Sequence, residues 1–170
     1  MIKALFLDRD GVINEDFGYV YKEENFKFMD DVFEVLRYYQ NLGYELFIIT
    51  NQSGIARGYY TKDEFLNLTK FMLNELEKEQ IYIKKVYFCP HSPDDNCSCR
   101  KPKPGMILKA KDEFDIDLKK SIFFGDKISD MGAGKAAGVG DLYLINSKLN
   151  PQHNTYFKTF KNILQTIPNS

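Results

Sequence analysis

Five short apolar runs, separated by stretches of helical spacing, constrain this chain more than any other feature. The runs cover residues 2–8, 45–51, 83–89, 121–126 and 141–146, each bounded by turn-forming residues. Between them, residues 31–42, 62–80, 104–114 and 129–137 carry apolar side chains at helical intervals. In the second stretch Phe65, Leu68, Met72, Leu73 and Leu76 mark one face, and Thr61 with Glu64 three residues on forms a capping-box pattern. A closing helix is expected over residues 154–167, through Phe157, Phe160, Ile163, Leu164 and Ile167. Strand–helix alternation requires crossover connections. The expected fold is therefore α/β, a doubly wound parallel sheet with helices on both faces.

The 170 residues suit one domain spanning residues 1–170, and no repeat, low-complexity tract or linker divides them. A formal net charge of −1 gives no global attraction to nucleic acid or an anionic membrane, so neither is expected as a partner, and a monomer is expected. The N-terminus runs straight into a strand pattern and the apolar runs are too short to span a bilayer, so a cytoplasmic location is expected.

In doubly wound sheets the site lies beyond the carboxyl ends of the strands. The first run ends at Asp8, the second at Thr50 and Asn51, and the fourth at Gly125 and Asp126. Asp8 and Asp10 lie two apart, a spacing that turns both carboxylates to one side of an extended segment, and Gly11 lets the chain turn away. Neighbouring carboxylates repel, which favours a divalent cation or a shared proton. Oxygen ligands without a nearby histidine point to Mg²⁺, with Asp126 completing the set. A plain turn at the end of a strand is the alternative reading of the acidic pair. Thr50, Asn51, Gln52, Ser53 and Gly54 make a small polar turn able to aim donors at an oxyanion, or else to cap a helix. Lys101 and Lys103 compete as the cation for a phosphoryl oxygen, and Pro104 suits the start of a helix.

All three cysteines, Cys89, Cys97 and Cys99, fall with His91 in one pattern, Cys-x-His-x₅-Cys-x-Cys. A Cys₃His set suits tetrahedral Zn²⁺ and leaves no open position, so a structural role is expected. Reduced thiols beside a loop histidine are the alternative. Because Arg100 and Lys101 follow directly, zinc would preorganise the loop that carries both cations.

The segments Asp8-Arg9-Asp10-Gly11-Val12, Thr50-Asn51-Gln52-Ser53, Lys101 and Gly125-Asp126-Lys127-Ile128-Ser129-Asp130 resemble, in order, the four motifs of the haloacid dehalogenase-like phosphatases. The resemblance implies a Mg²⁺-dependent phosphatase in which Asp8 is the nucleophile and becomes phosphorylated. It implies that Asp10 is general acid and base and reaches the metal through its backbone carbonyl, that Thr50 and Lys101 hold the phosphoryl group, and that the cap is minimal. The zinc loop is similar to those of two branches of this family, one acting on a heptose 1,7-bisphosphate and one on histidinol phosphate. Asp16, Phe17, Gly18, Tyr19 and the run from Thr50 to Gly58 favour the first, whose product feeds nucleotide-activated heptose for lipopolysaccharide or other surface glycans. The five-residue spacing from His91 to Cys97 resembles the second. By the first likeness the small-molecule substrate is a sugar bisphosphate. Its site would be lined by Asp16, Phe17, Gly18, Tyr19, Thr50, Asn51, Gln52, Ser53, Arg100, Lys101 and Lys127. Arg100 would anchor the second phosphate, with Arg57 a weaker candidate. A non-catalytic phosphate-sensing scaffold is the reading from a different class. The set Asp8, Asp10, Thr50, Lys101 and Asp126 argues against it, since such a scaffold has no physical need for all five.

Overall fold

A computed structural model describes residues 1–147 and 157–168, the side chains of 157 and 158 excepted. A six-stranded sheet is built from β1 (Ala4–Leu7), β2 (Glu45–Asn51), β3 (Ile83–Cys89), β4 (Ile122–Gly125), β5 (Asp141–Ile145) and β6 (Phe157–Lys158). Its order is β3-β2-β1-β4-β5-β6 and every pairing is parallel. The helices are α1 (Val32–Asn41), α2 (Lys62–Lys78), α3 (Gly105–Phe114), α4 (Ile128–Ala137) and α5 (Phe160–Thr166).

The strand sequences explain their places. β1 and β4, at the centre, are apolar apart from a terminal glycine and wholly buried, as parallel strands covered on both faces must be. β3 lies at one edge, and its exposed Lys84 and Lys85 blunt that edge against further pairing. Alternation divides the core in two. Leu5, Leu7, Leu46 and Ile48 pack against α1, α2 and α5, whereas Ala4, Phe6, Phe47 and Ile49 face α3 and α4. The small residues of α4 let it lie close to the sheet: a Cβ on Gly134 would meet Leu142 Cδ2 at 2.4 Å.

The expected fold class and the four internal helices are observed within one or two residues of the expected bounds. The Thr61–Glu64 capping box forms, and Pro104 caps α3. The closing helix is corrected. Residues 154–156 lie outside the described residues, Phe157 and Lys158 pair with β5, and α5 begins only after Thr159, whose side chain accepts the N–H of Asn162. Apolar spacing alone runs through this boundary, and the cap is what sets it. No helix among the described residues is long and apolar enough to cross a membrane.

Candidate active site

β1 and β4 are neighbours, and the connections that follow them leave towards opposite sides of the sheet, which opens a crevice at their carboxyl ends. Asp8 leaves β1 there, its N–H donating to Phe124 O at 3.0 Å. Thr50 and Asn51 end β2, and Asp126 follows β4.

Three carboxylates meet in this crevice: oxygens of Asp8, Asp126 and Asp130 lie within 4.8 Å of one another. Lys101, only 3 % exposed, reaches between them, with Nζ 3.0 Å from Asp8 Oδ1, 2.6 Å from Asp130 Oδ1 and 2.8 Å from Ile49 O. Asp130 accepts the N–H groups of Asp126 and Lys127 on its other oxygen, both at 3.1 Å, and so fixes the start of α4 and the aim of Asp126. Burial, with the Asp130 charge behind it, pushes Asp8 well above the usual carboxylate range. Burial also lifts Asp126 to about 6. Burial works against the charge of Lys101, but Asp130 and Asp8 outweigh it and raise the lysine above its ordinary value.

Lys101 and the more exposed Lys127 face three carboxylates, two of them buried and Asp126 half-buried, so negative charge is left uncompensated. A divalent cation fits that imbalance, and Asp126 Oδ1 is buried without a hydrogen-bond partner among the described residues. The donors are all oxygen, which suits Mg²⁺. Gly11 permits the arrangement: its φ is +89° and a Cβ there would meet Asp126 Oδ2 at 2.0 Å.

The Asp10 carboxylate lies outside this acidic group. Its Oδ1 accepts from Arg9 Nε and Nη2 at 3.1 and 2.8 Å and from Asn14 Nδ2 at 3.0 Å, while Oδ2 accepts from Gln52 Nε2 at 3.1 Å. The spacing expectation set both carboxylates on one side, and both line one recess, but the Asp10 carboxylate is held apart from the acidic group. Arg9 turns the second carboxylate away, leaving the Asp10 backbone carbonyl as the group that its metal role would use. Arg9 is 1 % exposed, lies over the rings of Phe26 and Phe65, and donates to Val20 O at the end of the loop carrying Asp16 to Tyr19.

The loop bearing Lys101 is held from two sides. Asn51 makes reciprocal bonds with the Lys101 backbone, accepting its N–H at 3.0 Å and donating to its carbonyl at 3.2 Å. Upstream, Cys89, His91, Cys97 and Cys99 converge, with His91 Nδ1 turned to the sulfurs at 3.4 Å from Cys89 and 3.3 Å from Cys99. Although burial opposes it, the Arg100 N–H and the neighbouring thiols hold the Cys97 thiol down to about 6. Three thiols and an imidazole nitrogen gathered in this way fit Zn²⁺. Gln52 N–H donates to Cys89 O at 2.8 Å, so this cluster is tied to the turn after β2 as well. Lys103 is spent on Cys97 O, which separates it from its competitor Lys101.

Above the acidic group lies a cavity of about 520 Å³ lined by Asp10, Asp16, Gly18, Tyr19, Asn51, Gln52, Ser53, Arg100, Lys101 and Lys127, with Tyr60, Pro102 and Ser129. Asp16 and Lys127, 3.6 Å apart, also line a neighbouring cavity of about 690 Å³, whose wall includes Phe17 and Asp126. A narrower recess is lined by Asp8, Asp10 and Lys101. Thr50 is buried and its hydroxyl accepts from Gln52. The exposed Arg57 is not among the residues lining these cavities. Sequence reasoning gave no role to Asp130, although it stands four residues after Asp126 where α4 begins. It also passed over Arg9, Asn14, Tyr60 and Ser129. A buried arginine leaves no signal in a local pattern, and Tyr60 is brought in by Gly54, where a Cβ would meet its ring at 2.1 Å.

The family model described as polynucleotide kinase 3 phosphatase matches residues 4–162. A D-glycero-alpha-D-manno-heptose-1,7-bisphosphate 7-phosphatase of Campylobacter jejuni is 54 % identical over 165 residues, 97 % of this chain and 94 % of that one. A D-glycero-beta-D-manno-heptose-1,7-bisphosphate 7-phosphatase of Helicobacter pylori is 49 % identical over 168 residues, 97 % of each chain. Among solved structures, a D,D-heptose 1,7-bisphosphate phosphatase from B. bronchiseptica, complexed with magnesium and phosphate, superposes with a TM-score of 0.85 at 26 % identity. It covers 98 % of this chain and 100 % of that one.

Proposed function

As a member of the polynucleotide kinase 3 phosphatase family of haloacid dehalogenase-like phosphatases, this chain is a phosphoric monoester hydrolase, and we propose that it removes the C7 phosphate of D-glycero-D-manno-heptose 1,7-bisphosphate. The product, heptose 1-phosphate, would enter the biosynthesis of nucleotide-activated heptose. The observation that carries the substrate reading is a single cavity with cations at separate places. Lys101 stands beside the acidic centre, and Arg100 lines the same cavity with a buried Nη1 that has no hydrogen-bond partner among the described residues. A substrate with two phosphates matches two such anchors.

In this reading Asp8 attacks phosphorus, and its new O–P bond forms as the bond to the C7 oxygen breaks. Asp10 gives that oxygen a proton, then takes one from the water that cleaves the aspartyl phosphate. Thr50 and Ser53 hold phosphoryl oxygens, and Lys101 shares its charge between Asp8 and the phosphoryl group. Asp8, Asp126 and the Asp10 backbone carbonyl would hold Mg²⁺, which when bound offsets the repulsion between anionic nucleophile and anionic ester. Cys89, His91, Cys97 and Cys99 would hold a structural Zn²⁺. Asp16, Phe17, Gly18, Tyr19 and Lys127 border the sugar, while Asn51 works through the Lys101 backbone.

Phosphate release from heptose 1,7-bisphosphate, measured with both anomers and with Mg²⁺, is expected to far exceed release from histidinol phosphate, with the remaining phosphate at C1. Preference for histidinol phosphate would overturn the substrate. Asp8→Asn keeps the shape and removes the nucleophilic charge, so kcat is expected to fall at least about a thousandfold. Turnover near that of the parent enzyme would remove Asp8 from the role of nucleophile.

A further inference from the structure

Gln52 lines the main cavity but is only 2 % exposed, and its amide is engaged at both ends. The nitrogen donates to Asp10 Oδ2 at 3.1 Å and to Thr50 Oγ1 at 2.9 Å, and the oxygen accepts the Tyr60 hydroxyl. An amide NH₂ has two hydrogens to give, and both are used. The distribution of donors around Asp10 is equally one-sided. Oδ1 accepts three N–H groups, from Arg9 and Asn14, which leaves it no lone pair for a proton. Oδ2 accepts one, from Gln52, and Asp10 lines both the main cavity and the recess beside Asp8.

Resting on the reading of Asp10 as general acid and base, we infer that Oδ2 is the oxygen that carries the transferred proton and that Gln52 is the positioning residue that aims it. In the first step the Oδ2–H bond breaks and the departing sugar oxygen takes the proton, together with the electron pair of its broken P–O bond. In the second, Oδ2 takes a proton from the water whose oxygen bonds to phosphorus, and the Asp8 oxygen leaves with the electron pair of its own P–O bond. Gln52 fixes the rotation of the carboxyl in both. Asp10 Oδ2 forbids a flipped amide, which would set oxygen against oxygen, and Tyr60 holds the observed orientation by donating to the amide oxygen. Tyr60 is itself held by stacking on Tyr21, ring centroids 5.3 Å apart. Burial pushes its phenol up to about 12, so it stays a donor throughout the neutral range.

An aimed acid matters when the leaving oxygen needs a proton and matters little when it does not. The test compares kcat/KM, which reports the steps through phosphorylation of Asp8, for heptose 1,7-bisphosphate and for p-nitrophenyl phosphate. Both are measured with Mg²⁺ on Gln52→Met and Tyr60→Phe. Gln52→Met also releases Thr50, which serves both esters, so the reading is the ratio: the sugar ester is expected to lose at least about 10-fold more than p-nitrophenyl phosphate in Gln52→Met and about 5-fold more in Tyr60→Phe. Equal losses on both esters, or none on either, would overturn the inference. Should Gln52→Met fail to fold, the selectivity of Tyr60→Phe decides alone. A parent enzyme that cleaves p-nitrophenyl phosphate but not the heptose ester counts against the substrate only, and the ratio is then taken with glycerol 3-phosphate.

Discussion

At the scale of single residues, the site is a problem of charge kept out of water. Lys101 is the one cation in direct contact with both Asp8 and Asp130 among the described residues, and all three are buried. Lys101→Met leaves two carboxylates facing each other. It is expected to cost about 3–5 kcal/mol in urea unfolding and to lower kcat at least about a hundredfold. Unchanged unfolding would mean that the pair carries no such strain. Gly11 is the steric counterpart. Gly11→Ala must place a Cβ at a φ of +89° and 2.0 Å from Asp126 Oδ2, so the carboxylate has to move. Mg²⁺ affinity is expected to fall at least about tenfold, read by the Mg²⁺ dependence of turnover. Asp8, Asp10 and Lys101 could be singled out from local sequence because their neighbours form recognisable patterns. The Asp10 partner Gln52, with Tyr60 behind it, could not, since these reach Asp10 only once β1 and the turn after β2 are brought side by side.

At the scale of elements, the loop from Cys89 to Lys101 carries the most consequence for its length. It leaves the edge strand β3, gathers four metal-binding groups, and delivers Lys101 to the carboxyl end of β2. Its middle is a polar single turn, Pro93–Asp95, with no buried residue. A segment of that kind has little apolar burial to offset the entropy of ordering it, and zinc would supply what packing does not. His91→Ala is expected to lose the metal and lower kcat roughly 10- to 100-fold, with the strand and helix signal in circular dichroism retained. Metal analysis and turnover on one preparation check this. Zinc loss with unaltered turnover would uncouple the loop from the site. Here the spacing of cysteines and histidine announced the cluster, while the bond from Gln52 N–H to Cys89 O, which joins it to the turn after β2, exists only in the folded sheet.

For the whole molecule, the acidic centre should be visible in global stability. Asp126 is raised to about 6, and Asp8 is raised as well. A carboxyl whose folded value exceeds its unfolded one binds its proton more tightly when folded. Its contribution to stability is therefore full below the unfolded value and is lost as pH rises through the folded value. In the metal-free protein the Asp126 contribution is expected to be lost between about pH 4 and about pH 6. Mg²⁺ binds the ionised form, so its stabilising effect should grow over the same interval. Saturating Mg²⁺ is expected to raise Tm by at least about 3 °C more at about pH 7.5 than at about pH 5. Thermal scans at the two pH values test it, and an equal gain at both would place the metal elsewhere.

What the sequence determined by itself is whatever depends on short intervals. Period and composition specified parallel strands covered on both faces, capping residues started the helices, and the Asp8–Asp10, Thr50–Ser53 and Cys89–Cys99 segments declared their chemistry through spacing. What only the tertiary structure decided is whatever depends on distance across the sheet. Asp130 became the partner of Lys101, Lys103 was separated from it, and the Asp10 carboxylate turned from the acidic centre towards Arg9 and Gln52. The physical reason is the same in each case. A buried charge or amide takes the partner that geometry brings within about 3 Å. For Lys101 with Asp130 and Asp10 with Gln52 that partner is brought in by the order and register of the strands, while Arg9 and Cys97 are chain neighbours whose side of approach the fold selects.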